Sequence, residues 1–127
     1  MKFEFNPKAG LLVVRAKLLG PGGERELELA LDTAASQTLI ERSQLVALGS
    51  DAAESSEVVP LTTASGMEYV PCVRVSRLIA LGQHRTNFSV ICHELPPSAA
   101  IDGVLGLDFL RGHVLTIDFK TGTIVLE

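Results

Sequence analysis

The segment Leu29-Ala30-Leu31-Asp32-Thr33-Ala34-Ala35-Ser36-Gln37-Thr38-Leu39-Ile40 sets one carboxylate at the end of an apolar run. Small residues follow, and then apolar ones return. A tight loop of this kind surrounds a carboxylate with backbone N–H groups. The same pattern also reads as an Asx-turn or a helix N-cap, because Asp before small residues readily bonds its own backbone. Other chemistries find less in the chain. His84, His93 and His113 show no metal-ligand spacing with one another or with Cys72 and Cys92. Gly20-Pro21-Gly22-Gly23 lacks the Lys-Ser/Thr and the helix of a phosphate loop, and no Gly-x-Ser-x-Gly elbow occurs. The two cysteines lie in apolar strand-like segments outside any Cys-x-x-Cys and read as small core hydrophobes.

The elements that must carry Asp32 read mostly as strands. Residues 11–19 form an apolar run ending in the Gly20-Pro21-Gly22-Gly23 turn, and residues 26–31 alternate, with Leu27, Leu29 and Leu31 on one face. This first hairpin ends at Asp32. Residues 33–38 are a loop, and 40–48 predict a short helix stopped at Gly49. Residues 50–57 are small and acidic, as in an exposed loop. A second hairpin spans 58–75 and turns at Ala64-Ser65-Gly66. Strands at 73–81 and 87–92 join through Gly82-Gln83-His84, and Pro96-Pro97 breaks the chain. Residues 104–110 predict a short helix after Gly103 or Gly106. Residues 114–119 and 123–126 close the chain as a hairpin over Lys120-Thr121-Gly122. The expectation is a mainly β architecture with one or two short helices, in a single domain over residues 1–127.

Composition narrows the partners. With 46% apolar and 20% charged residues among 127, the chain is too apolar for disorder. Its longest stretch without Asp, Glu, Lys or Arg is residues 58–67, too short for a membrane-spanning helix. A net charge of −4 without a Lys/Arg cluster argues against nucleic acid. Met1-Lys2-Phe3-Glu4-Phe5 lacks the apolar core of a signal peptide, so the expected location is cytoplasmic. The apolar surplus suits a surface partly covered by a second copy.

Two motifs in order resemble the retropepsin-like aspartic proteases, the single-domain relatives of retroviral protease. One is Ala30-Leu31-Asp32-Thr33-Ala34-Ala35-Ser36 followed by Thr38-Leu39-Ile40; the other is Val104-Leu105-Gly106 followed by Leu107-Asp108-Phe109-Leu110. Between them, Thr62-Thr63-Ala64-Ser65-Gly66-Met67 falls where that family carries its substrate-covering flap. Ile101 to Leu110 and the closing hairpin resemble the bacterial branch, so the likeness runs over nearly the whole chain. It implies a closed or partly open β-barrel with a flap hairpin, and a homodimeric aspartic endopeptidase acting on extended peptides without metal or cofactor. Asp32 would be the catalytic carboxylate, and Thr33 would bond across the dimer. Ala34, Ala35 and Ser36 would line the cleft, Ser65 and Gly66 would form the flap tip, and Gly106 would pack beneath the Asp32 loop. Paired carboxylates share one proton, one acting as base and the other as acid. One Asp motif per chain therefore implies two chains. The family pattern has Gly where this chain has Ala34. That departure implies an alternative: a catalytically impaired dimer that grips peptides without cutting them.

Overall fold

The computed structural model describes residues 1–50 and 57–127. The acidic loop expected over 50–57 therefore lies, at residues 51–56, outside the described residues. The chain runs β1 (Phe3–Glu4), β2 (Val13–Gly20), β3 (Gly23–Leu31), β4 (Leu39–Glu41), α1 (Arg42–Ala47), β5 (Val58–Thr63) and β6 (Gly66–Ala80). It continues with β7 (Gln83–His93), β8 (Gly103–Leu105), α2 (Leu107–Leu110), β9 (Leu115–Asp118) and β10 (Thr123–Leu126). The expected mainly β architecture is present.

Strands β2-β3-β8-β4-β7-β6 lie side by side, and pairing of β2 with β6 from Ala16↔Ala80 to Leu19↔Arg77 closes them into a barrel. Closure leaves no open edge among these strands. The alternation seen in the sequence fills the interior: Leu18, Leu27, Leu29, Val75, Leu78, Val90 and Leu105 are buried, with Phe109 of α2 packed among them. A second cluster of Leu39, Val70, Cys72 and Ile91 lies against Val59, Leu61 and Val104. β5 and the first half of β6 project as a hairpin whose turn is Ala64–Ser65, with Thr63 opposite Gly66. Pro71, which has no N–H to donate, sits where β6 leaves β5 and takes up β7. A separate sheet, β1-β10-β9, gathers both ends of the chain. Among the described residues no helix is long and apolar enough to cross a membrane.

Three local expectations are corrected. The helix expected over 40–48 begins only at Arg42, because Leu39–Glu41 is a strand pairing with β7 and β8. The helix expected over 104–110 is reduced to Leu107–Leu110, since residues 103–105 pair with β3 and β4. β7 starts at Gln83 rather than Asn87. Ala80 pairs with Gln83 and leaves a two-residue turn, Leu81–Gly82, with φ of 52° and 76°. Positive φ at both turn positions matches strand twist, and burial of Leu81 offsets its unusual backbone.

Candidate functional site

The site follows from one topological feature. β8 lies between β3 and β4, parallel to the first and antiparallel to the second. The chain leaving β3 at Leu31 must therefore arch over the end of β8 to reach β4 at Leu39. Asp32 starts this arch, and three sets of bonds tie the arch down. Asp32 N–H donates to the Leu105 carbonyl at 3.1 Å, and Leu107 N–H donates to the Ala35 carbonyl at 2.8 Å. At the far end, Thr38 N–H and hydroxyl donate to the Asp108 carboxylate.

Gly106 lies directly under the arch. A Cβ there would come within 2.7 Å of the Gln37 carbonyl carbon and 2.9 Å of the Ala35 oxygen, both backbone atoms that cannot swing aside. Its φ of −102° is ordinary for any residue, so space rather than conformation calls for glycine. Gly103 is confined in the same way against the Leu39 carbonyl.

Asp32 itself is half-buried. Its Oδ1 accepts the Ala34 N–H at 2.8 Å, and Ala35 N–H closes a turn onto the Asp32 carbonyl at 3.2 Å. This is the Asx-type arrangement the sequence admits, but it leaves Oδ2 with no hydrogen bond among the described residues. Leu81 and Asn87 are the described non-glycine residues with positive φ, so Ala34 is outside the left-handed region and its methyl group carries no backbone strain.

Above the arch is a cleft of about 400 Å³. Asp32, Ala34, Ala35, Ser36 and Gln37 line it from the loop, and Pro60, Leu61 and Thr62 from β5. Leu39, Ile91 and Val104 add to its wall, and among the described residues of the lining Asp32 is the one ionisable group. The structure thus brings Asp32, Ala34, Ala35 and Ser36 together. Thr33 is exposed beside them and outside the lining. Ser65 and Gly66, at the exposed turn of the β5–β6 hairpin, are also outside it; Gly66 has φ +125° and open space about its Cβ position. Among the described residues no cluster of three His, Cys, Asp or Glu side chains could hold a metal ion.

Sequence reasoning missed the anchors of the arch. Thr38 is wholly buried and Asp108 receives it. Asp102 accepts Glu28 N–H at 2.8 Å and Gln44 Nε2 at 3.2 Å, tying β3 to α1. Asp102 and Asp108 are each an isolated polar residue within an apolar stretch, the one signal that could have marked them; Thr38, directly after Ser36-Gln37, carries no such signal.

The comparisons with known proteins agree with this geometry. The aspartyl protease family model matches residues 14–109, which takes in the Asp32 arch, the β5–β6 hairpin and the Gly106 segment. No curated protein matches the sequence. Among solved structures, a retropepsin-like aspartic protease from Rickettsia conorii superposes with a TM-score of 0.72 at 18% identity, over 99% of this chain and 88% of that one. The fold is therefore retropepsin-like: a closed barrel with a projecting hairpin and a carboxylate arch over the strand between. By the family match over most of its length, the chain belongs to the aspartyl protease family.

Proposed function

We propose that the chain is an aspartic endopeptidase that works as a homodimer, each copy contributing Asp32. The observation that carries this reading is the placement of Asp32. Among the described residues it is the one ionisable group lining the cleft, fastened from below, with Oδ1 bonded to Ala34 N–H and Oδ2 without a partner. Two such carboxylates brought face to face cannot both ionise. The pair holds one proton: the ionised member takes a proton from water, and the protonated member gives its own to the peptide carbonyl. The water oxygen bonds to the carbonyl carbon to give a gem-diol. On its collapse one hydroxyl gives a proton to the now ionised carboxylate, and the other carboxyl gives its proton to the nitrogen. The C–N bond breaks to release acid and amine, with one proton again on the pair.

The exposed Thr33 hydroxyl, with no partner among the described residues, supports a bond across the two-fold axis. Ala34, Ala35 and Ser36 offer backbone groups to an extended peptide, which binds by strand addition. Ser65 and Gly66 form the tip of the hairpin that covers it. Ala34 does not favour the non-cutting alternative on conformational grounds, since its backbone accepts a Cβ without strain.

The test is Asp32→Asn. The variant should remain dimeric and lose peptide cleavage by about 10²-fold or more, the scale of general acid–base assistance. Equal cleavage by both proteins removes the reading, and peptide affinity without turnover in the wild type replaces it with the binding module.

A further inference from the structure

The far end of the Asp32 arch is fixed by a second carboxylate. Asp108, in the first turn of α2, accepts Thr38 N–H on Oδ1 at 3.0 Å and on Oδ2 at 2.9 Å. It also accepts the Thr38 hydroxyl on Oδ1 at 2.7 Å. A hydroxyl has one proton, and this one is given to Asp108, so the Thr38 oxygen is the acceptor of the Gly106 N–H at 3.1 Å. Donation therefore runs in one direction, from Gly106 N–H to the Thr38 hydroxyl to the Asp108 carboxylate. Each bond polarises the next. Thr38 has no exposed surface, so water cannot replace a missing partner. Its carbonyl in turn accepts Ile91 N–H at 2.9 Å, which registers the arch on β7.

We propose that Asp108 is a positioning residue for the reaction at Asp32. Acting through Thr38, its two acceptor oxygens set the height of the arch above Gly106, and with it the aim of the Asp32 carboxylate. The proposal rests on the reading of Asp32 as the catalytic group. Its reach is physical: a group misplaced by about 1 Å costs on the order of 10²-fold in rate. An amide at position 108 keeps one acceptor and, in either orientation, sets its N–H₂ against the Thr38 N–H, donor against donor. The arch then shifts, although the barrel beneath it stays intact.

Asp108→Asn, Thr38→Val and Thr38→Ser are compared with the wild type on the fastest-cut member of a quenched-fluorescence peptide library, below the unfolding temperature of each. Asp108→Asn should lower kcat by about ten-fold or more while KM stays within about three-fold, because alignment rather than binding is lost. Thr38→Val should behave like Asp108→Asn, and Thr38→Ser, which keeps the hydroxyl, should recover most of the loss. A folded Asp108→Asn with the wild-type kcat overturns the proposal, as does a Thr38→Val no worse than Thr38→Ser. If the wild type cuts no peptide, the reading of Asp32 fails, and amide hydrogen exchange decides the role of Asp108 on its own. Faster exchange at Ala34 and Ala35 in Asp108→Asn, with Leu18 and Leu78 unchanged, supports positioning; equal exchange at Ala34 and Ala35 overturns it.

Discussion

Ala34 occupies a backbone conformation outside the left-handed region, so a glycine there gains nothing in the folded chain and frees the unfolded one. Ala34→Gly should therefore lower stability by about 0.4–1 kcal/mol, read by thermal or denaturant unfolding. An increase in stability would mean that the methyl group is strained after all. Gly106 is the opposite case. Its φ suits any residue, yet a methyl group would press into the backbone of Ala35 and Gln37. Gly106→Ala should cost about 1–3 kcal/mol, the usual penalty for overpacking, and should reduce cleavage further by lifting the arch. Calorimetry and peptide turnover on the same sample separate the two effects.

Among the elements, α1 shows how long-range pairing overrides local pattern. The apolar spacing of Ile40, Leu45 and Leu48 suits a helix from residue 40, but β7 and β8 take the backbone of Leu39–Glu41 first. The helix then starts under Glu41, whose carboxylate accepts both Ser43 N–H and the Ser43 hydroxyl. The Ser43 hydroxyl is the main cause holding the Glu41 carboxyl below its ordinary value of 4.5, against the opposing effect of burial. Folding thus favours the ionised form. Its stabilisation is complete above the ordinary value and is lost as pH falls through the folded value. Glu41→Gln should cost about 0.5–1 kcal/mol at neutral pH, and the gap to wild type should close in acid. A gap independent of pH in urea titrations would assign the effect to packing instead. β6 and β7 also settle the cysteines. Cys72 pairs opposite Ile91, which puts Cys92 on the other face of the sheet, in the other core cluster. The two thiols cannot meet, and burial pushes the Cys72 thiol up, away from the reactive thiolate.

For the whole molecule, one chain supplies one Asp32 arch and therefore half of the proposed site. Sedimentation at cleavage-active concentrations should give twice the 13.6 kDa chain mass, and activity should fall on dilution through the dimer's dissociation range. A monomer that cuts at full rate would overturn the paired-carboxylate reading. The sequence by itself determined the strand character, the hairpin turns at Pro21–Gly22 and Ala64–Ser65, and Asp32 at the end of an apolar strand. These depend on period-two alternation and turn chemistry within a few residues. The insertion of β8 between β3 and β4 was decided only by the tertiary structure. So were the strand at Leu39–Glu41, the partnership of Thr38 with Asp108 seventy positions away, and the reason Gly106 must lack a Cβ. Each is a contact between distant segments, in which a buried polar group or a close-packed backbone finds its partner only once the barrel has closed.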